Sequence, residues 1–380
     1  MKVLYVAPRY HTNQIPVMKG WLENGHQVMF ISQFAGTSED YTILHPIVLG
    51  YSVLSEIVIK FYKLFFCRGE KSARKEFAFR VKIGFPPIGK ARKYIKEFKP
   101  QLVIVREYAF YNIPFSLQCK REKIPCILYN QSPLWDEKVK KNLVKGLFYP
   151  FFPRHRITPV LGTKNNCTEK IKDAHFVPFV MEPYLAPKQK QHFLNGIIHI
   201  LCVARYEERK NLFLLLDAIR DLVERYELHL TIIGEVADQN QTEYYDSFKK
   251  KIMEYGMDRS VTLYKNFSMK QMYEEYRKAD LFVLPSTRER ASVAQLEAMS
   301  CSLPIICSNT NGTACYVEHG VNGFLFQDND VEDLTDKIKT LVSNRETLLC
   351  MGQKSYEYVL KKYQFSEYFN KIINLMEGGL

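Results

Sequence analysis

Short apolar runs of strand length alternate with amphipathic stretches along the whole chain. The runs are rich in β-branched residues and contain few polar positions, which is typical of strands buried on both faces of a parallel sheet. They lie at residues 3–7, 27–32, 102–106, 126–129, 197–204, 228–234, 261–264, 281–285, 304–307 and 323–326. The pattern therefore predicts buried parallel sheets.

Helical periodicity occupies the stretches between these runs. The clearest helical patterns lie at residues 212–226, 244–255, 270–278, 331–343 and 365–376. Repeated strand-helix units predict an α/β architecture, and 380 residues are enough for two domains with separate cores. We therefore expect two doubly wound, Rossmann-like domains.

The boundary between the domains is predicted at residues 182–193, a polar stretch with two prolines and no periodicity. It separates an N-terminal domain at residues 1–185 from a C-terminal domain at residues 186–362. Residues 363–380 form a final helix. The sequence leaves open which domain this helix joins, and packing back on the N-terminal domain is one arrangement.

Composition restricts the compartment and the chemistry. The nine cysteines form no C-x-x-C pair, so we expect a reducing cytoplasm without disulfides or a zinc site. The N-terminus enters a strand directly, without the apolar region of a secretory signal. Charged residues interrupt the apolar stretch 52–67, so we expect no membrane-spanning helix.

Positive charge is concentrated in the first half. Residues 1–185 carry 29 Lys and Arg against 14 Asp and Glu, and the rest carries 24 against 27. Residues 60–99 and 143–156 mix basic and aromatic side chains, a pattern that favours an anionic membrane surface. We expect peripheral association with the inner face of the plasma membrane and no nucleic acid partner. Helices with merely solvated charged faces remain the alternative.

The segment 285–304 is the most informative for chemistry. A strand ends, a loop carries Glu289, and Ser292 with Gln295 predicts a capping box at the start of a helix that contains Glu297. The free amides of a helix N-terminus attract anions, so the loop formed by Arg290, Ala291, Ser292 and Val293 is a predicted diphosphate cradle. Two solvated carboxylates at chance spacing are the alternative.

The spacing Glu289, seven residues, Glu297, between a strand ending in Pro-Ser and a strand opened by Pro304, resembles the signature of the retaining glycosyltransferases of family four. That family has the GT-B fold, two Rossmann-like domains facing a central cleft. The resemblance implies that Glu297 binds the nucleotide ribose and that Glu289 contacts the donor sugar or orients the reacting groups. Glycines common in the family are replaced by Arg290, Ser292 and Ser302.

A second segment follows the strand at residues 197–204. Arg205 and Lys210 flank a turn before a helix that Asn211 is predicted to cap. The same resemblance implies that this arginine and lysine bind the donor diphosphate and serve catalysis. Considered alone, such a pair is more often a pair of solvent-exposed surface charges.

Further positions are assigned by the resemblance. The loop containing Lys265, Asn266 and Phe267 corresponds to the base-recognition loop, and residues 25–28 resemble a Gly-His-x-Val segment of the family fold. The predicted acceptor or cleft residues follow N-terminal strands: His11, Asn13, Gln14 and Gln131. Residues 106–108 follow another strand, where relatives often carry a histidine.

Two apparent motifs are set aside. Residues 328–330 read Asp-Asn-Asp, which formally matches a metal motif, but they precede a predicted helix and favour N-terminal capping. Gly234 follows a strand but lacks the other glycines of a dinucleotide fingerprint. We therefore expect no metal and no cofactor other than the nucleotide sugar.

These observations predict a metal-independent, retaining glycosyltransferase of hexosyltransferase type. The donor is expected to be a UDP-linked sugar, bound by the C-terminal domain. The acceptor is expected to be a glycan or a lipid-linked glycan in cell-surface polysaccharide or glycolipid synthesis, bound on the N-terminal side. A nucleotide-sugar epimerase of the same fold and a non-catalytic scaffold remain alternatives.

Overall fold

The computed structural model describes residues 1–36, 40–67, 72–134, 148–162 and 173–378. Within these residues the chain forms two compact units. The first comprises Met1–Pro159, Glu169–Val180 and Phe365–Leu380, and the second comprises Val160–Thr168 and Met181–Gln364. The predicted linker, residues 182–193, lies in the second unit.

The first unit is built on a parallel sheet in the order β3-β2-β1-β4-β5-β6-β7. Its strands are β1 (Lys2–Ala7), β2 (Gln27–Ser32), β3 (Ile47–Val48), β4 (Leu102–Arg106), β5 (Cys126–Tyr129), β6 (Arg156–Thr158) and β7 (Ala174–Phe176). Its helices are α1 (Ile15–Glu23), α2 (Val53–Phe66), α3 (Ser72–Ile83), α4 (Ile88–Phe98) and α5 (Ile113–Glu122). Two apolar cores cover the opposite faces of β1 and β4, because alternate residues of each strand point to opposite sides.

The second unit repeats this plan with the sheet order β10-β9-β8-β11-β12-β13. Its strands are β8 (Ile198–Val203), β9 (Leu228–Gly234), β10 (Val261–Lys265), β11 (Leu281–Leu284), β12 (Ile305–Ser308) and β13 (Gly323–Phe326). Its helices are α6 (Leu212–Arg220), α7 (Gln239–Glu254), α8 (Met269–Lys278), α9 (Val293–Ser300), α10 (Val331–Val342) and α11 (Arg345–Lys362).

The predicted strands are confirmed to within a residue or two, and every strand pair among the described residues is parallel. The sequence pattern missed β3, β6 and β7, since two or three residues are too few to show a periodicity. The helix predicted at residues 212–226 was too long, because α6 ends at Arg220 and turns follow.

The final helix, α12 (Phe365–Glu377), packs on α1 and β1 of the first unit. The Phe365 ring lies so close to Gly20 that a Cβ at position 20 would approach it to 2.2 Å. The hydroxyl groups of Tyr368 and Tyr5 are 3.1 Å apart, and the Trp21 indole donates to Tyr5 at 2.7 Å. A glycine on α1 therefore makes room for the end of the chain.

Within the described part of the chain, no helix combines the length and the apolar character that crossing a membrane requires.

Candidate functional site

The candidate site of the second unit lies where the strand order reverses. The chain proceeds from β8 to β9 and β10 on one side, and β11, β12 and β13 lie on the other side. The loops that follow β8 and β11 therefore diverge above two neighbouring strands, and such switch points are where open α/β sheets bind ligands.

Glu289 is the centre of this site. Its carboxylate is 9% exposed, accepts a hydrogen bond from Arg209 Nη1 at 2.6 Å, and contacts Lys210 Nζ. Burial acts to raise the pKa of Glu289, but the charges and hydrogen bonds of Lys210 and Arg209 outweigh burial, and the pKa lies below its ordinary value. The carboxylate is therefore ionised and fixed between two cations.

The loop after β8 places these cations. Glu208–Lys210 forms a single 3-10 turn, and Asn211 follows with a left-handed φ of 53°. This turn directs Arg209 and Lys210 toward the loop after β11, and the Arg209 carbonyl accepts from the Thr287 amide at 3.0 Å. Asn211 occupies the N-cap position of α6 as predicted, but its side chain donates to Asn329 and not to the helix.

Gly312 holds the loop that carries Glu289. Its amide donates to the Glu289 carbonyl at 2.7 Å, and a Cβ at position 312 would lie 1.9 Å from the Arg290 carbonyl oxygen. Only a residue without a side chain allows this approach.

The predicted capping box at the start of α9 was wrong. Ser292 is the N-cap residue of α9, but its side chain makes no capping hydrogen bond. Gln295 is fully buried, and its amide donates to the Thr313 carbonyl at 2.9 Å and accepts from the Thr313 hydroxyl. Because the Gln295 side chain is bonded to Thr313 in the core, it does not cap α9. The first-turn amides of the helix, near Arg290, Ala291 and Val293, therefore lack these side-chain caps. Free amides of this kind suit an anion.

Glu297 lies one turn into α9 and is half-buried. Its carboxylate accepts a hydrogen bond from the Tyr276 hydroxyl of α8 at 2.9 Å. Burial raises the pKa of Glu297 above its ordinary value, although the Tyr276 hydrogen bond acts to lower it. The Tyr276 side chain is fully buried, so it fixes the position of the carboxylate.

Arg205 is not part of the Glu289 cluster. Its guanidinium pairs with Glu235 at 2.8 Å, and both side chains are about half exposed, at 54% and 51%. The structure thus brings Lys210 and Glu289 together and places Arg205 in a surface ion pair at the opening of the β9 loop.

The predicted base-recognition loop follows β10. Asn266 has a left-handed φ of 55°, a conformation that asparagine and glycine adopt more readily than other residues. Its side chain accepts from the Val236 amide at 2.9 Å and donates to the Val236 carbonyl at 3.1 Å. Phe267 packs on Tyr264, and Lys265 lies over the Tyr245 ring at 4.3 Å. The loop is therefore bound to the end of β9.

The last residue of the Asp-Asn-Asp segment caps the following helix, as predicted. Asp330 accepts a hydrogen bond from the Asp333 amide and caps α10. Asp328 accepts from the Thr287 hydroxyl at 2.5 Å. Among the described residues, no group of three or more His, Cys, Asp or Glu side chains is placed to hold a metal ion.

The predicted acceptor residues lie in the first unit. The Gln14 side chain accepts from the His11 amide at 2.9 Å, which shapes the turn after β1. Asn13 and Gln14 line a cavity at the ends of β1 and β4. Gln131 donates to the Tyr129 hydroxyl at 3.4 Å.

Three residues at this site were missed by the sequence analysis: Arg209, Tyr276 and Gly312. Arg209 directly precedes Lys210 and could have been found from its loop position. Tyr276 and Gly312 act across long sequence separations and have no local signal.

Part of the chain resembles characterised proteins. Residues 187–358 match the family model described as glycosyl transferases group 1. A sulfoquinovosyl transferase of Arabidopsis thaliana is 35% identical over 107 residues, which make up 27% of this chain and 21% of that protein. A human alpha-1,3/1,6-mannosyltransferase is 27% identical over 187 residues, which make up 47% of this chain and 43% of that protein. The matched segments span less than half of these relatives.

Solved structures resemble the whole chain. A glycosyltransferase of Rickettsia africae has a TM-score of 0.74 at 14% identity, covering 98% of this chain and 97% of that one. The Anabaena protein HepE, in complex with UDP and glucose, has a TM-score of 0.71 at 13% identity and covers all of both chains. At such low identity the likeness concerns the fold. The chain therefore has the GT-B fold of two Rossmann-like domains, and its residues 187–358 match the glycosyl transferases group 1.

Proposed function

We propose that this protein is a retaining glycosyltransferase of hexosyltransferase type, which transfers a sugar from a UDP-linked donor to a glycan or lipid-linked acceptor in cell-surface polysaccharide or glycolipid synthesis. The observation that carries the proposal is the contact of Glu289 with Lys210 and Arg209 at the switch point of the second unit. The family match over the same residues supports it. A fold neighbour that contains UDP supports the choice of nucleotide.

The donor is proposed to lie along the loops after β8, β10 and β11. Amides at residues 290–293 receive the diphosphate, because they open α9 without a side-chain cap. The Glu297 carboxylate accepts hydrogen bonds from the ribose hydroxyls, and its Tyr276 contact prevents rotation away from them. The base is proposed to lie against the loop formed by Lys265, Asn266 and Phe267.

The positive charge for the leaving group comes from side chains. The charges of Arg209 and Lys210 are balanced by Glu207 and Glu289, which fix the cations in place. Arg288 and Arg290 are exposed in the adjacent loop and add a surplus of positive charge. Preorganised charge of this kind lowers the barrier, because it need not reorganise as the diphosphate leaves. Transfer therefore needs no metal ion and no cofactor beyond the nucleotide sugar.

In the proposed transfer the bond between the anomeric carbon and the diphosphate oxygen breaks. The acceptor hydroxyl oxygen forms its bond to the anomeric carbon on the same face, and the departing phosphate oxygen takes the hydroxyl proton. No protein nucleophile participates. Glu289, held ionised by Lys210 and Arg209, orients the donor sugar.

A membrane-borne acceptor is supported by an exposed apolar face on α2. We define the α2 apolar face as Leu54, Ile57, Phe61, Leu64 and Phe65, which are 72%, 46%, 59%, 69% and 61% exposed. Their spacing of three and four residues places them on one side of the helix. Soluble proteins rarely leave such a stripe in water.

Exposed basic side chains lie on the same helix as the α2 apolar face and on the next helix, α3. Lys60 and Lys63 lie on α2, and Arg74, Lys75 and Lys82 follow on α3, all of them exposed. Apolar groups flanked by lysines match an anionic lipid surface, with the cations at the phosphate level. Of the second basic-aromatic cluster, residues 143–147 lie outside the described residues.

Vesicle flotation tests this part of the proposal. At low salt we expect recovery with phosphatidylglycerol vesicles and little with phosphatidylcholine vesicles. Leu64→Glu should lower recovery roughly tenfold, since one buried leucine contributes about 1.5–3 kcal/mol. The control Leu360→Glu changes a leucine of α11 that is 45% exposed, and it should have no effect. Equal recovery on both lipids, or equal loss in both variants, contradicts membrane docking by this face.

Product analysis tests the reaction. The protein is incubated with a panel of nucleotide sugars, with and without a lipid extract, and the products are separated. A transferase releases a nucleoside diphosphate and a glycosylated product only when the acceptor is present. Release of an altered sugar without acceptor indicates an epimerase, and absence of turnover with every donor indicates a scaffold.

A further inference from the structure

The first unit also has a switch point, and its ligand is not assigned by the family match. The strands β2 and β3 lie on one side of β1, and β4 to β7 lie on the other. The loops after β1 and β4 therefore diverge above neighbouring strands, whose last pair is Val6 with Val105. This is the position at which α/β sheets bind ligands.

A cavity occupies this switch point. Its enclosed volume is about 40 Å³, its open mouth brings the total to about 530 Å³, and its lining comes entirely from the first unit. Most of the lining is apolar and includes Met18, Ile104 and Phe179. Polar side chains in it, among them Arg106, Asn13 and Gln14, distinguish it from a packing defect.

Arg106 is a buried cation without a counter-ion. Its side chain is 8% exposed and its guanidinium carbon lies 5.4 Å from the centre of the Tyr129 ring. Across the part of the chain that the structure describes, Arg106 Nη1 has no hydrogen-bond partner and no ion pair includes Arg106. A buried, unpaired charge is costly, because it loses its hydration without receiving a partner.

The surroundings add positive potential. The pKa of His11 is lowered to about 3, first by burial and then by the charges of Arg106 and Arg9. His11 is therefore neutral at pH 7 and accepts from Arg9 Nε through its Nε2 atom at 3.3 Å. An anion entering the cavity would meet the charge of Arg106, because Arg9 lies outside the lining and is bonded to His11.

Asn13 supplies a second unpaired group. Its Oδ1 atom is buried and has no hydrogen-bond partner in the described structure. A carbonyl oxygen of this kind accepts from a hydroxyl. The cavity thus offers a cation and a hydrogen-bond acceptor within one mostly apolar lining. Its enclosed part admits a group the size of a carboxylate, and a ring with adjacent hydroxyl groups would lie in the open mouth.

We propose that Arg106 binds the carboxylate of an acidic sugar in this cavity, with a sugar hydroxyl donating to Asn13 Oδ1. This inference rests on the proposed function and specifies its substrate class as uronic-acid-like. A carboxylate is favoured over a phosphate because its single charge matches the one unpaired guanidinium and its planar oxygens fit the guanidinium fork. The apolar lining would desolvate a phosphate dianion without compensating its second charge.

The carboxylate can belong to the acceptor or to the donor sugar, and binding measurements distinguish the two. Methyl glucuronoside and methyl glucoside are titrated against the full chain by calorimetry, each without nucleotide. UDP, UDP-glucuronate and UDP-glucose are titrated separately. An acceptor site predicts that the glucuronoside binds at least tenfold more tightly than the glucoside, with similar affinities for the two UDP-sugars. A donor site predicts instead the same preference for UDP-glucuronate over UDP-glucose.

Variants separate binding from folding. Arg106→Met should abolish the preference for the carboxylate and leave UDP affinity unchanged, and Arg106→Lys should retain part of the preference. Thermal unfolding of Arg106→Met should occur at the same temperature or higher, because methionine removes an uncompensated charge at similar volume. Arg92→Met is the matched control, since Arg92 is exposed on α4.

Three outcomes overturn the proposal: no carboxylate preference in the wild-type protein, an unchanged preference in Arg106→Met, or unfolding of Arg106→Met at a clearly lower temperature, which would assign Arg106 a structural role. Wild-type protein that binds UDP but shows no carboxylate preference removes this inference and leaves the transferase proposal standing. Wild-type protein that fails to bind any nucleotide removes the transferase proposal itself.

Discussion

A buried charge lies at the switch point of each unit, and within the described parts of the chain only the charge in the second unit has an ionic partner. In the second unit the Glu289 carboxylate is held by Lys210 and Arg209. In the first unit the Arg106 guanidinium has no ionic partner among the described residues. The sheets are alike, and the side chains at the strand ends differ.

In the second unit the protein itself supplies the opposite charge, whereas in the first unit a ligand would have to supply it. Charges balanced by the protein hold their geometry before a ligand arrives, which suits the stabilisation of a leaving group. A charge left unbalanced in an apolar cavity gains most when a ligand supplies the opposite charge, which suits selection of a substrate. The two sites are therefore expected to respond differently to loss of their cations.

The largest effect is expected for Lys210→Met. Loss of this buried cation should lower turnover by about a hundredfold or more, because the leaving diphosphate loses a fixed charge and Glu289 loses a partner. Arg205→Met should lower turnover less, since Arg205 is half exposed. Lys278→Met is the control, because it removes an exposed lysine that pairs with Glu275 at 2.7 Å. Steady-state kinetics with the best donor measure all three, and equal turnover in Lys210→Met and wild type would refute the assignment.

A smaller effect, on stability, is expected for Gly312→Ala. The added Cβ meets the Arg290 carbonyl oxygen at 1.9 Å, so the Glu289 loop must move. We expect a loss of about 1–3 kcal/mol in the free energy of unfolding, as for other overpacked positions. The control is Gly89→Ala, where nothing lies within 4 Å of the new Cβ, and denaturant unfolding should show no loss there. Full stability of Gly312→Ala would mean that the loop is not held as described.

Next in size is the effect of Tyr276→Phe on nucleotide affinity. Loss of the hydrogen bond to Glu297 should weaken UDP binding roughly tenfold, since a hydrogen bond to a charged group contributes about 1.5–3 kcal/mol. The pKa of Glu297 should rise further, so binding should fail at a higher pH than in the wild type as the solution is acidified. Tyr255→Phe loses a similar bond to Asp217 at 2.7 Å and serves as the control. Calorimetry across the pH range measures both, and identical pH profiles count against a ribose-binding Glu297.

The smallest effect concerns the titration of His11. Its pKa of about 3 in the folded protein lies below the ordinary 6.5. The unfolded chain therefore binds a proton more readily, and the stability contributed by neutral His11 is lost as the pH falls from 6.5 toward 3. Arg106→Met should raise the pKa of His11 only in part, because burial is the larger cause. Histidine NMR signals measure this shift, and an unchanged pKa would place Arg106 too far away to act on His11.

The fold was predicted well from the sequence wherever strands are long and buried on both faces. Continuous apolar runs such as Leu228–Gly234 have few alternative structures, so their position and parallel pairing followed from the pattern. The short strands β3, β6 and β7 have no such signal. Their place is decided by neighbouring strands that present free edges.

The candidate sites were predicted only in part, for the same physical reason. Strand ends and loop residues are local, so Glu289, Glu297 and Lys210 could be chosen from the sequence once its spacing was seen to resemble the family four signature. The partners that fix them could not, because Arg209 meets Glu289 across 80 residues and Tyr276 meets Glu297 across 21 residues. The capping box at Ser292 failed because a distant residue, Thr313, holds Gln295.

The sequence alone determined the two α/β units and the loops that bear chemistry, since hydrophobic periodicity and helix start signals are properties of neighbouring residues. The tertiary structure alone decided which charges are compensated. Glu289 acquires two cations and Arg106 acquires none, and that outcome depends on strand order, which brings remote loops to the same edge of a sheet. Charge compensation is a contact between distant parts of the chain, and no local pattern encodes it.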